Sequence, residues 1–115
     1  MAELDVSERQ AGDVTILDLS GEVRIGDSSV ALRDSIRNLA DQAKTKVLLN
    51  LAGVKYIDST GIGELIASYT TVKRQGGQLK LLKLTDRVQN LLVITKLLTV
   101  FDSFEDESEA LKSFQ

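Results

Sequence analysis

The sequence predicts an α/β domain with a mixed, mostly parallel sheet of about five strands and about four helices. Short runs of aliphatic and β-branched residues alternate with longer segments whose apolar residues recur at helical spacing. Gly, Asn and Asp separate these segments, since the chain contains no Pro. A length of 115 residues is typical of one domain, so residues 1–115 are interpreted as a single unit.

A hairpin is predicted at the start of the chain. The first strand covers about Glu3 to Gln10, and the second covers Val14 to Leu19. Ala11-Gly12-Asp13 lies between them as a turn. We therefore expect one antiparallel pair before the chain continues as alternating helices and parallel strands.

The first helix and the strand after it are indicated by a change of pattern. Asp27 or Ser28 is available as the helix N-cap, and Lys46 to Leu51 is a continuous apolar run, as in a strand covered on both faces. The helix is predicted from a stripe of apolar residues at helical spacing: Leu32, Ile36, Leu39, Ala40 and Ala43.

The second helix should end at Gly76-Gly77, and a strand from Gln78 to Lys83 should follow. The apolar stripe of this helix consists of Ile62, Leu65, Ile66, Tyr69 and Val72.

The last part of the chain is predicted to contain two short helices and a short strand. Thr85 or Asp86 would cap a helix marked by Val88, Leu91 and Leu92. Thr99 to Phe104 would form the last strand. Asp106 and Glu109 form a capping box before Ala110, Leu111 and Phe114.

Composition excludes several classes of function. The net charge is −3, the pI is near 4.9 and the 14 Lys and Arg residues are scattered, so neither nucleic acid nor an anionic membrane is expected as the main partner. Without His or Cys, the chain lacks a Ser-His-Asp triad, a thiol nucleophile and the commonest zinc ligands. We predict no enzyme activity, no metal site and no cofactor.

Cytoplasmic localisation is expected because the N-terminus lacks a basic start followed by an apolar run. The longest apolar stretch, Leu91 to Phe101, is interrupted by Lys96 and is too short to cross a bilayer.

Residues 56–65, YIDSTGIGEL, form the most informative stretch. Ile57 is predicted to end a strand and Ile62 to lie in the first turn of the next helix. Asp58, Ser59, Thr60 and Gly61 would then occupy the carboxyl end of a strand and a helix N-terminus, where ligand sites of α/β sheets gather and negative groups are favoured. Gly61 and Gly63 would leave room for an approaching backbone or phosphate.

Several interpretations of this stretch compete. Its polar residues are of the types that commonly form N-caps. A cap uses only one such side chain, so at least one of the two hydroxyl groups has no capping role. Nucleotide binding is disfavoured because the glycine-rich fingerprints are absent. Nucleophilic catalysis by Ser59 lacks a histidine, although Lys55 or Lys73 could approach it in space. The remaining interpretation is a hydroxyl that another protein modifies.

The chain resembles STAS domains of the bacterial anti-sigma factor antagonist kind. The resemblance runs from Val14 to about Phe114 and depends on four stretches: LSGEV at residues 19–23, VLLNLAGVKYIDSTGIGEL, GGQLKLL and FEDESEAL. The Asp-Ser-Thr-Gly-Ile-Gly run after a buried strand, together with the later Gly-Gly-x-Leu, is its most specific part.

The resemblance implies a binding module that is a substrate and not an enzyme. Ser59 would be the residue phosphorylated by an anti-sigma factor serine kinase, with Thr60 as the second candidate. The unmodified chain would bind the kinase and release a sigma factor, thereby regulating transcription, and a metal-dependent serine phosphatase would reset it. The residues expected to contact the partner are Arg24, Asp27, Asp58, Thr60, Gly61, Gly63 and Glu64.

The alternative within the same fold is a non-switching STAS scaffold. Such a chain would be a subunit of a lipid-transport ATPase complex or of a stressosome-like assembly. We expect a monomer or a weak dimer, because the apolar stretch at residues 87–98 is explained mostly by core packing and partly by a dimer or partner contact.

Arg24 departs from the family pattern, in which many members carry Asp two residues after the Glu of the GE turn. An Arg at this position either pairs with phosphoserine, marks a different kind of kinase or an unphosphorylated chain, or is simply a solvated loop residue.

A polar face is also predicted on the helix that follows Ser59. Glu64, Ser68, Thr71 and Gln75 recur at helical spacing and would adjoin the Ser59 turn. A partner would then contact the turn and this face together.

Overall fold

A computed structural model describes residues 4–114 of the chain. It contains one five-stranded sheet in the order β1-β2-β3-β4-β5. The strands are β1 (Leu4–Ala11), β2 (Val14–Val23), β3 (Lys46–Ile57), β4 (Gln78–Leu82) and β5 (Ser103–Phe104). The pair β1–β2 is antiparallel and the other pairs are parallel. The predicted fold class is confirmed, while Glu3 of the first predicted strand lies outside the described residues.

Four α-helices cover the two faces of the sheet. They are α1 (Asp27–Asp41), α2 (Ser59–Arg74), α3 (Asp86–Ile94) and α4 (Glu107–Lys112), and a 3₁₀ turn spans Leu98–Val100. Helices α1, α2 and α3 pack on one face and form the larger core, whereas α4 packs on the other face.

Neighbouring residues of the central strand β3 point to opposite faces of the sheet and belong to different cores. Leu49 belongs to the larger core and Leu48 to the smaller one. Successive side chains of a strand point to opposite sides, so a strand covered on both faces has a continuous apolar sequence. The run from Lys46 to Leu51 therefore lies at the centre of the sheet.

Strand β3 continues past this run to Ile57, with register shifts against β2 between Asp18 and Ser20 and between Gly21 and Glu22. This extension carries the chain to the end of the sheet at which Ser59 begins α2.

The predicted cap of α1 is wrong. Gly26 is the N-cap and makes no side-chain capping bond. The Ser28 hydroxyl instead accepts a hydrogen bond from the backbone N–H of Arg24 at 2.9 Å and donates to its carbonyl at 3.0 Å. Ala43 also lies beyond the helix, which ends at Asp41, and Ala43 adopts a positive φ of 59°.

Other predicted boundaries are confirmed or shortened. Thr85 caps α3 and Asp106 caps α4, each through its side chain. Helix α2 ends before Gly76, whose φ is 76°. The last strand is shorter than predicted because its first residues form the 3₁₀ turn, after which Phe101 packs edge-on against Tyr69.

Candidate functional site

The Ser59 turn lies at the end of β3, where Asp58 is the N-cap of α2. The Asp58 Oδ1 atom accepts a hydrogen bond from the backbone N–H of Gly61 at 2.8 Å. Because Asp58 provides the cap, neither hydroxyl that follows it is needed for this purpose. Ser59 is exposed and Thr60 is half-buried.

Asp58 also connects this turn to the loop between β2 and α1. Its Oδ2 atom accepts a hydrogen bond from the backbone N–H of Ile25 at 3.1 Å. Its own N–H donates to the carbonyl of Val23 at 3.2 Å. The Ser59 turn and the loop between β2 and α1 are therefore held together by the Asp58 side chain and by one backbone hydrogen bond.

The two glycines of the turn have different environments. A Cβ atom at Gly61 would lie 2.3 Å from the carbonyl oxygen of Val23 and 2.7 Å from Cγ1 of Ile57. Gly61 is buried, so it lets α2 approach the end of β2. Gly63 is exposed, and a Cβ atom there would meet nothing within 4 Å.

Glu64 belongs to α2, and its side chain contacts α1. It is only 8% exposed and accepts hydrogen bonds from Arg33 of α1, at 2.6 Å from Nη2 and 3.1 Å from Nε. This hydrogen bond raises the pKa of the Arg33 guanidinium. Ser68, one helical turn further along, is 3% exposed.

The predicted exposed polar face is therefore wrong at Glu64 and Ser68, because α1 packs against this side of α2. Contact between Glu64 and a partner stays a prediction, and it would require Arg33 to release the carboxylate. Thr71 is half-buried and Gln75 is exposed.

Arg24 is not a simple solvated loop residue. Its guanidinium forms a salt bridge with Glu22 and lies 5.0 Å from the centroid of the Tyr56 ring. Arg87 of α3 contacts the same ring, at 4.7 Å from the centroid. The sequence did not point to Arg87 individually, and only the packing of α3 beside β3 brings it here. Asp27, the other predicted contact on this loop, is exposed in the first turn of α1.

A pocket of about 430 Å³ opens beside Ser59, between the end of β3 and α3. Its lining consists of Tyr56, Ile57, Asp58, Ser59, Arg87, Asn90, Leu91 and Ile94. Ile94 is 74% exposed at its edge, and Ile25 is 73% exposed on the loop tied to Asp58. The excess of apolar residues at 87–98 predicted that part of this stretch would be left outside the core. Val88 and Leu92 are core residues, whereas Ile94 lies on the surface.

No group of His, Cys, Asp or Glu that could hold a metal ion occurs within residues 4–114. Over the same range, no helix has the length and apolar character needed to span a membrane.

Comparison with known proteins identifies the relatives of this chain. Residues 5–110 match the STAS domain family. The anti-sigma-B factor antagonist of Bacillus subtilis (strain 168) is 33% identical over 99 residues, which cover 86% of this chain and 89% of that protein.

Solved structures of similar proteins share the fold. An anti-sigma factor antagonist from Mycobacterium paratuberculosis superposes with a TM-score of 0.85 at 18% identity, covering 96% of this chain and 93% of that one. The Bacillus cell fate determinant SpoIIAA in its phosphorylated form gives a TM-score of 0.73 at 17% identity, covering 94% and 97%.

Proposed function

Since the chain belongs to the STAS domain family, we propose that it is an anti-sigma factor antagonist switched by phosphorylation of Ser59. In its unmodified form it binds an anti-sigma factor serine kinase, and the sigma factor held by that kinase is released. The kinase then transfers a phosphoryl group from ATP to Ser59 and the complex dissociates. A metal-dependent serine phosphatase restores the unmodified form.

One observation carries the choice of Ser59: its hydroxyl is exposed at the start of α2 while Asp58 supplies the cap. Within residues 4–114 this hydroxyl makes no hydrogen bond, so modification would break no internal contact. The half-buried Thr60 is less accessible to a kinase. The Bacillus subtilis relative is named an anti-sigma-B factor antagonist, which supports the general role of an antagonist.

The physical effect of modification is a local change of charge. A phosphoserine carries a charge of about −1.5 to −2 and three acceptor oxygens. A helix N-terminus tolerates this charge well, so the fold itself should lose little stability. A closely packed partner surface would be repelled, and a loss of about 3 kcal/mol in binding free energy would weaken affinity more than a hundredfold.

The proposal is tested by incubating the protein with ATP and the serine kinase encoded nearest to it, followed by intact-mass measurement and peptide mapping. We expect the gain of one phosphoryl group at Ser59. The gain should disappear in Ser59→Ala and persist in Thr60→Val, whereas the reverse pattern would move the acceptor to Thr60.

Binding of the kinase by the same variants separates the two candidate roles. Ser59→Ala should bind the kinase at least as tightly as the wild type, because it cannot be released by phosphorylation. If the wild-type chain neither gains mass nor binds the kinase, the switch is refuted. The non-switching scaffold, in a lipid-transport ATPase complex or a stressosome-like assembly, then becomes the better account.

A further inference from the structure

The pocket beside Ser59 has an apolar floor and a single cation whose charge is not matched by a carboxylate. We refer to it as the Arg87 pocket and define it by its lining residues Tyr56, Ile57, Asp58, Ser59, Arg87, Asn90, Leu91 and Ile94. Its two charged groups are Asp58 and Arg87. Which of these two charges is available to a ligand depends on the hydrogen bonds and salt bridges that each group already makes within the chain.

The Asp58 carboxylate is already satisfied from within the chain. Its two oxygens accept the backbone N–H groups of Gly61 and Ile25, and it lies at the positive end of the α2 dipole. In contrast, Arg87 makes no salt bridge with any residue of the described part of the chain. Its guanidinium lies over the Tyr56 ring, which leaves its edge donors available.

The remaining charges near the pocket do not change this balance. Arg24 shares the Tyr56 ring but forms a salt bridge with Glu22. Asp86 is exposed at the first position of α3 and makes no salt bridge within residues 4–114. Arg87 is thus the group in the pocket that best attracts a negative charge.

The apolar surface around the pocket indicates that the ligand is large. Ile94 at its edge and Ile25 on the adjoining loop are each more than 70% exposed, at 74% and 73%. Burying both side chains requires a surface that extends across the pocket and the Ser59 turn, as a protein partner does.

We propose that the Arg87 pocket binds a segment of the partner protein in which a carboxylate stands beside an apolar side chain. The carboxylate pairs with the Arg87 guanidinium, and the apolar side chain packs on Leu91 and Ile94. This assignment rests on the proposed function, because the partner is the anti-sigma factor kinase. It deepens that function by stating which chemistry the kinase must present.

The same geometry explains why phosphorylation would release the partner. Ser59 and Arg87 line one pocket. A phosphoryl group on Ser59 would occupy part of its volume and compete with the partner's carboxylate for the Arg87 guanidinium. The phosphoryl group and the partner's carboxylate would also repel each other, and the single positive charge of Arg87 cannot neutralise both, so modification and partner binding oppose each other.

The test compares two charge reversals, Arg87→Glu and Arg74→Glu, both made in the Ser59→Ala background so that no phosphorylation occurs. Arg74 is also exposed, and it lies in the last turn of α2, about 22 Å along the helix from residue 59. The two variants have the same net charge, so any difference between them is local. Affinity for the kinase encoded nearest to the chain is measured by calorimetry at two salt concentrations.

We expect Arg87→Glu to weaken binding by about tenfold or more, and Arg74→Glu to change it by less than about threefold. Arg87→Lys should bind more weakly than the Ser59→Ala parent but more tightly than Arg87→Glu, because it keeps the positive charge and loses the planar donor edge. Circular dichroism and thermal unfolding check the fold of each variant. A Glu→Lys or Asp→Lys substitution in the kinase that restores binding to Arg87→Glu would identify the carboxylate.

The outcomes distinguish this inference from the function on which it rests. If the Ser59→Ala chain binds the kinase and Arg87→Glu binds no more weakly than Arg74→Glu, the partner chemistry is wrong and the antagonist role stands. Tighter binding of Arg87→Glu would also overturn it, since the partner surface would then be basic. If the chain does not bind the kinase at all, the proposed function and this inference fail together.

Discussion

The carboxylate of Asp58 lies 3.1 Å from the backbone N–H of Ile25 and accepts its hydrogen bond, while its other oxygen accepts from Gly61 at 2.8 Å. One side chain therefore caps α2 and fastens the loop between β2 and α1 to the turn that carries Ser59. The surface around Ser59 is held in one arrangement by this contact and by the bond from Asp58 N–H to the Val23 carbonyl.

Replacing Asp58 by Ala should remove both side-chain bonds and lower the free energy of unfolding by about 1–2 kcal/mol. Asp58→Asn is the matched control, because Asn is also a good N-cap but has only one acceptor oxygen. It should lose less stability than the Ala variant. Urea unfolding measures the loss, and amide hydrogen exchange should accelerate at both Ile25 and Gly61 in Asp58→Ala. Unchanged exchange at Ile25 would show that the loop is held independently of Asp58.

The glycine pair gives a test in which the two variants should change stability in opposite directions. Gly61→Ala would place a Cβ atom 2.3 Å from the Val23 carbonyl oxygen, so helix and strand must separate. We expect a loss of about 1–3 kcal/mol. Gly63→Ala meets open space in an exposed helical position and should gain up to about 1 kcal/mol through helix propensity. Thermal unfolding of both variants would contradict this account if Gly61→Ala were as stable as Gly63→Ala.

The contact between Arg33 and Glu64 predicts an unequal response to substitution. Arg33→Met leaves a carboxylate that is only 8% exposed without its cation. Glu64→Gln leaves an Arg33 side chain that is 43% exposed, so water can solvate its guanidinium. Arg33→Met should therefore lower the urea midpoint more than Glu64→Gln does. The double variant should recover part of the loss caused by Arg33→Met alone. Strictly additive effects would mean that the two side chains do not interact.

A second charged cluster should make stability depend on acid pH. Hydrogen bonds from Arg9 lower the pKa of Asp18 and of Glu107, and Asn50 adds to the effect at Asp18. A carboxylate with a lowered pKa in the folded state contributes stability at pH values above its pKa in the unfolded chain, about 3.9 for Asp and 4.3 for Glu. This contribution is lost as the pH falls through the lower, folded-state pKa.

The expected result is a fall in the free energy of unfolding below about pH 4 that is shallower in Asp18→Asn and in Glu107→Gln. Arg9→Gln should reduce the slope as well, although both carboxylates remain. Arg74→Gln changes the net charge equally and should leave the slope intact. At pH 7 the loss in Arg9→Gln should stay below about 1 kcal/mol, because the Arg9 side chain is 44% exposed. An equal acid slope in Arg9→Gln and the wild type would refute the coupling.

Features that depend on short-range interactions were predicted well from the sequence. Thr85 and Asp106 cap their helices by bonding to N–H groups three residues further on, at Val88 and Glu109. The predicted N-cap of α1, Asp27 or Ser28, was wrong because of a different local hydrogen bond. The chain turns at Gly26 with a φ of 107°, and the Ser28 hydroxyl bonds back to Arg24 instead of capping. A serine at the start of a helix can form either kind of hydrogen bond, and the sequence pattern is the same in both cases.

The sequence by itself determined the α/β alternation, the sheet with its opening hairpin and the position of Ser59 between a strand and a helix, because periodicity and capping act within a few residues. Tertiary structure alone decided that Glu64 is enclosed by α1, that Gly61 is a packing residue and that Arg87 stands beside Ser59. The Arg33–Glu64 and Ile25–Asp58 contacts join residues 31 and 33 positions apart. Such contacts depend on how the helices and loops pack together. The spacing of residues along one helix or strand does not specify which residues of another element it will contact.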